Sequence, residues 1–217
     1  MARYFNALAT LLIFAIFSKL GSLDSVIDKL QISQQALAVG MGLATFGSLC
    51  CLQLFSLKSS EEPEDQSNPS DPPPVRLGIN LGGAIVPILF MLFFSRLNPP
   101  QFHQLILLTI VVCVVVYPMT RMDKQRGMVI YLFGAVLAAA LGSLMLSPDN
   151  YLPLAYSAAM LGTLIGGDLL HLTQLRKLTQ LNRETVFIGG GGLLDAIFLS
   201  GLFAMLTAET LQQLNYL

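Results

Sequence analysis

The stretch "TVFIGGGGLLDAIFLSGLFAMLTA", residues 185 to 208, decides how the chain is read. Four glycines precede a carboxylate, Asp195, and an apolar run too long for a loop follows it. About 20 apolar residues are what a helix needs to cross a hydrocarbon core of about 30 Å. On that reading Asp195 is an acid inside a membrane span.

The rest of the chain has the same texture. Its 217 residues are 54% hydrophobic and 12% charged, where a soluble domain carries about 25% charged residues. Apolar residues fall in blocks. Backbone groups in lipid must be satisfied within the segment, so the blocks are helices. The short alternating segments of a membrane β-barrel do not occur. The expected fold class is all-α: a polytopic helical membrane protein with about seven transmembrane helices. The spans are 4–18, 34–57, 77–97, 104–119, 128–146, 152–172 and 185–208. The first is short and lies next to Lys19, but no small-residue cleavage site follows it, so it is read as a retained span.

Between the second and third spans lies "KSSEEPEDQSNPSDPPPVR", residues 58 to 76. It is acidic, rich in Pro and Ser, and unable to bury a core, which makes it a disordered linker. Three units follow: an N-terminal two-helix membrane unit (1–57), the linker (58–76), and a five-helix membrane domain (77–217). Lys and Arg set the orientation. Arg3, Lys58, Arg76, Arg121, Lys124, Arg126, Arg176, Lys177 and Arg183 fall on one side, and Lys19, Lys29 and Arg96 on the other. The N-terminus and linker are therefore expected in the cytoplasm. The opposite side holds "GSLDSVIDKLQIS", residues 21 to 33, a short amphipathic stretch on the outer surface. A net charge of −1 offers no basic surface to nucleic acid. Cys50 and Cys51 are adjacent and Cys113 lies in another block, so no disulfide framework is implied.

A second acid, Asp168, lies in span six within "LIGGDLLHL". An ionisable residue at depth costs about 2.5–3.5 kcal/mol on insertion scales and marks function by default. Asp168 is eight residues from Arg176, about 12 Å along a helix, and Asp195 is twelve residues from Arg183, about 18 Å. A short loop makes spans six and seven antiparallel neighbours, so the acids are expected close together, toward the cytoplasm. Small residues at four-residue steps, Ala158–Gly162–Gly166 and Gly192–Ala196–Ser200–Ala204, suit tight contact between these two spans. Gly189, Gly190, Gly191 and Gly192 either serve packing alone or unwind the entry to span seven and line a cavity beside Asp195.

Other polar groups join the candidate site. His171 follows Asp168 by three positions and shares its helix face, as a cap or partner. Asn80, in "LGINLGGAIVP", lies at a depth near Asp168 and either hydrogen-bonds a carboxylate or ties two helices together. Gly166 and Gly167 complete the binding set. Asp168, His171 and Asp195 lack the ligand pattern of a metal site, so neither metal nor cofactor is expected.

The stretches "INLGGAIVPILF", "LGTLIGGDLLHL" and "IGGGGLLDAIFLSGLFAML" together resemble a family of prokaryotic polytopic membrane proteins, the domain of unknown function 1614. The matching positions are Asn80, Gly82, Gly83, Gly166, Asp168, Gly191 and Asp195, within residues 77–207. The resemblance implies a multi-pass protein of a prokaryotic plasma (inner) membrane and no particular activity. In architecture the chain is also similar to the aspartic intramembrane proteases, which carry two aspartates on consecutive spans. That similarity implies Asp168 and Asp195 as catalytic residues. The motifs differ, since Gly167 precedes Asp168 and no Pro-Ala-Leu follows. Three functions stay open: a di-aspartyl intramembrane hydrolase, a proton- or cation-coupled transporter or channel, and a membrane scaffold or assembly factor. The partners expected are the bilayer, a membrane-embedded peptide or small ion, and a protein docking on the 58–76 linker.

Overall fold

The computed structural model describes residues 15–57, 75–123, 127–172 and 185–214, together with Leu12. The linker, most of the first expected span, and the basic residues at 176, 177 and 183 lie outside the described residues. What is described is mostly helical. Two helical runs, Phe102–Met119 and Tyr151–His171, are long and apolar enough to cross a membrane.

Four of the expected spans begin or end in strand rather than helix. Helix α1 (Ser22–Lys29) leads to α2 (Gln34–Gly47), which starts where the Ser33 hydroxyl accepts the Ala36 N–H at 3.1 Å. Span 34–57 then breaks. Past Gly47 the chain becomes strand β1 (Cys51–Leu57). Two backbones cross at this break: a Cβ on Gly47 would lie 2.9 Å from the Gly82 nitrogen. Span 77–97 likewise opens as strand β2 (Val75–Asn80), passes through a π turn (Leu81–Ile85), and only then becomes helix α3 (Val86–Leu97). Pro87 sits in the first turn of α3, where its missing N–H costs nothing.

Helices α4 (Phe102–Met119) and α5 (Leu132–Leu146) are joined by a hairpin, β3 (Thr120–Asp123) and β4 (Gly127–Ile130). Helix α6 (Tyr151–Thr163) continues into a π turn (Leu164–Asp168) and a 3₁₀ turn (Leu169–His171). The expected span 185–208 is strand β5 (Thr185–Ile188), the glycine turn, a 3₁₀ turn (Gly192–Leu194), and finally α7 (Ala196–Leu214).

The strands correct the all-α expectation at one end of the bundle. β2 is central, antiparallel to β1 and parallel to β5, with Leu77 opposite Val186 and Gly78 opposite Phe187. Gly78 is required there, because the Phe187 ring occupies the space a Cβ would take. Thus two parallel strands, β2 and β5, each feed a helix, and both helices begin at the same end.

At the centre, α6 is buried from Tyr151 to Met160 and packs antiparallel to α7. Tyr156 is fully buried. Its hydroxyl donates to the Pro87 carbonyl at 3.2 Å, and its ring meets Phe94 edge-on at 4.9 Å. Gly201 of α7 lies against the same ring. Helix α4 is two-faced in position but not in polarity. Leu108, Val112 and Val116 face inward, while Phe102, Ile106, Ile110 and Val114 are exposed.

Candidate functional site

β5 runs straight into the glycine turn, and the turn explains the tetraglycine. Gly189 and Gly192 adopt φ of +70° and +61°, a region that costs other residues about 1–2 kcal/mol. The turn also presses on the π turn that follows β2. A Cβ on Gly189 would lie 2.6 Å from the Gly83 carbonyl carbon, and a Cβ on Gly83 would run into the Gly189 carbonyl.

The amides of this turn lie against both acids. The Gly189 amide lies beside the carboxylate of Asp168. Gly191 N–H donates to Asp195 Oδ2 at 2.9 Å. Asp195 Oδ1 accepts the Ile197 N–H at 3.0 Å, and the Asp195 carbonyl accepts Leu199 N–H at 3.0 Å. Asp195 is therefore the N-cap of α7, where a carboxylate satisfies an orphan amide and suits the helix dipole. The acid expected inside the seventh helix stands at its threshold. Asp168 ends the π turn of α6, is 4% exposed, and lies within electrostatic reach of the Asp195 carboxylate. Asp195 is partly exposed.

The other expected site residues fall elsewhere. Asn80 is 2% exposed and caps the π turn after β2, its Oδ1 accepting Gly83 N–H at 2.8 Å. Its Nδ2 donates to the Ser48 carbonyl at 2.9 Å and to Cys51 Sγ at 3.2 Å. Of its two expected roles, it ties chain segments together. His171 is buried, with Nδ1 3.0 Å from the Gly166 carbonyl and its ring 4.7 Å from that of Tyr117. It braces its own turn and α4, not Asp168.

Gly166 packs on Cys113 of α4, its Cβ position 2.7 Å from that carbonyl, and Gly167 packs on Ile130 of β4. The Ala158–Gly162–Gly166 ridge, expected to meet the last helix, instead meets α4 at least from Gly162 onward, with Val112 against Gly162. What faces α7 is Tyr156 and Ala159, the latter accepting from Ser200 Oγ at 3.3 Å. Gly190 closes the turn with its N–H to the Phe187 carbonyl, and Gly192 packs on Ser48.

Sequence reasoning missed a second polar cluster, at the opposite end of the bundle. Glu209 is fully buried and accepts from Ser25 at 2.6 Å, Lys29 at 2.8 Å, Tyr151 at 2.5 Å and Gln213 at 3.1 Å. Burial pulls the Lys29 ammonium down, but its hydrogen bonds to Glu209 and Tyr151 outweigh that and hold it above the ordinary lysine value. The signal was present as one acid just past an apolar block and one lysine on an amphipathic stretch. Nothing in the spacing joined them.

Fold and site define a class: a mostly helical protein in which one glycine turn lies against two acids that are distant in sequence, Asp168 and Asp195. The chain belongs to the family described as Protein of unknown function (DUF1614), whose model matches residues 23–207. No curated protein and no solved structure matches it.

Proposed function

We propose that the protein is a multi-pass integral membrane hydrolase that cuts membrane-embedded peptides, with Asp168 and Asp195 as its catalytic pair. One observation carries the reading: a single glycine turn gathers the two carboxylates, with the Gly191 N–H on Asp195 and the Gly189 amide beside Asp168. Two acids in such proximity, held by neutral donors, are what general acid–base hydrolysis of an amide needs. Asp195, with both oxygens on amide hydrogens, takes a proton from water. The water oxygen bonds to the peptide carbonyl carbon, and Asp168 delivers its proton to the carbonyl oxygen. Collapse breaks the C–N bond, the amine leaves with the proton from Asp195, and Asp168 recovers its own.

Membrane placement is supported by the two long apolar helices and by the exposed apolar face of α4, which water would penalise. The apolar blocks support a seven-span arrangement, the distribution of Lys and Arg supports a cytoplasmic N-terminus, and the family resemblance supports a prokaryotic plasma membrane. On this reading the sheet and the acid pair lie toward the cytoplasm, and the 58–76 linker docks a protein partner there. A second reading, a proton- or cation-coupled carrier, draws on the interrupted entries to α3 and α7, since broken helices mark carrier sites.

The test uses purified protein in detergent with fluorescent single-span peptides and a statine-type analogue of the hydrated amide. Wild type is expected to cleave a subset of peptides and bind the analogue. D168N and D195N should lose cleavage, and D195N should still fold because Asn caps helices about as well as Asp. Cleavage retained in either variant would remove the hydrolase. Proton-driven uptake into vesicles without cleavage would favour the carrier.

A further inference from the structure

Thr163 is fully buried, and its hydroxyl has no hydrogen-bond partner among the described residues. Buried hydroxyls are almost always paired, so this one needs an explanation. A helical threonine usually donates to the carbonyl four residues back. Here that carbonyl belongs to Ala159 and is taken by Ser200 Oγ at 3.3 Å.

Register places the hydroxyl. Tyr156, Ala159 and Thr163 share one face of α6 at three- and four-residue steps. Tyr156 meets Gly201 and Ala159 meets Ser200, so this is the face that packs on α7. The helices are antiparallel. One turn beyond the Ala159–Ser200 contact, Thr163 lies across from Ala196 and Ile197, the first turn of α7. The cap of that turn is Asp195. In the other direction the π turn, with its i→i+5 spacing, brings Asp168 round to the side of Thr163. Register and the π turn thus put the unpaired hydroxyl on the side of α6 that leads to Asp168 and faces the α7 cap.

We propose that Thr163, Asp168 and Asp195 enclose a site for one water molecule, and that the Thr163 hydroxyl positions it. A buried water needs two to four polar partners, and these three side chains supply them. The inference rests on the hydrolase reading for the water's role as nucleophile, but the water site itself stands on the buried hydroxyl. Thr163 donates to the water oxygen and leaves one water hydrogen aimed at the Asp195 carboxylate.

Thr163→Val removes the hydroxyl and keeps the shape; Thr163→Ser keeps the hydroxyl. Both are compared with wild type by thermal unfolding in detergent and by peptide cleavage across pH. Thr163→Val is expected to unfold at lower temperature, with Thr163→Ser close to wild type, because a hydroxyl paired to water stabilises the fold. Cleavage by Thr163→Val should fall about tenfold in kcat with KM unchanged and an altered pH profile, as for one lost positioning bond. Thr163→Ser should restore both. A Thr163→Val protein as stable as wild type, or more so, is the outcome for a truly unpaired hydroxyl and overturns the water site. Unchanged kcat and pH profile overturn the positioning role while D168N still tests the pair. If wild type cleaves nothing, the hydrolase reading and the nucleophile role fall together, and the unfolding comparison alone decides the water site.

Discussion

Replacing Gly189 by alanine should separate two costs that the glycine turn combines. The first is backbone strain. Gly189 has φ +70°, and a non-glycine residue there pays about 1–2 kcal/mol. The second is collision. A Cβ at 189 lies 2.6 Å from the Gly83 carbonyl carbon, 2.7 Å from the Ala84 nitrogen and 2.9 Å from the Ala84 Cβ. Two of these three atoms are backbone, so the glycine turn and the π turn before α3 must separate, at the roughly 1–3 kcal/mol typical of overpacking. Gly21 is the natural control. Its φ is +75°, and a Cβ there meets nothing within 4 Å.

Gly21→Ala should therefore lose about 1–2 kcal/mol and Gly189→Ala about 2–5 kcal/mol. In a chain of this size each kcal/mol moves Tm by about 2–4 °C. Thermal unfolding of both variants in one detergent, at one pH, reads the gap directly. Equal losses, or a smaller loss at 189, would refute the close approach of the two strand-to-helix turns.

Two further outcomes follow from the polar contacts. Asn80→Ala removes the acceptor for Gly83 N–H and the donor to Ser48 and Cys51, and should cost about 1–3 kcal/mol in thermal unfolding; a neutral result would deny it the capping role. Lys29 is held above its ordinary value in the fold, so its contribution is complete below the unfolded lysine value near 10.4 and is lost as pH rises through the folded value. Its side chain is 44% exposed, so the alkaline fall in Tm should be small, under about 1 kcal/mol, and should flatten in Lys29→Met. An identical alkaline limb in that variant would exclude the Lys29–Glu209 contact as its source.

The sequence made the helices legible where apolar runs were long and uninterrupted. Span 104–119 became α4 almost residue for residue. It hid the strands because a strand buried against helices is also a run of apolar residues. "TVFI" before the glycines and "VRLGIN" before Leu81 carry no period that separates a strand from the start of a span. The pairing of β2 with β5 is long-range, and no local pattern reveals it.

The two acids were found because carboxylates stand out in apolar surroundings. Their holders were not, because backbone amides carry no sequence signature beyond glycine itself. The same limit misassigned the Ala158–Gly162–Gly166 ridge. Small residues mark a close approach without naming the neighbour, and the neighbour is α4.

The parallel pairing of β2 with β5 has a consequence for biogenesis. Leu77 waits for Val186, a partner made more than a hundred residues later. Until β5 emerges, Asp168 is without the Gly189 amide, and the α3 entry lacks the turn that packs on it. A ribosome that stalls before residue 185 therefore leaves Asp168 without that amide and α6 without α7, the helix it packs on. Such a chain exposes its own incompleteness to membrane quality control, and the acid pair exists only in molecules whose synthesis has run past the last strand.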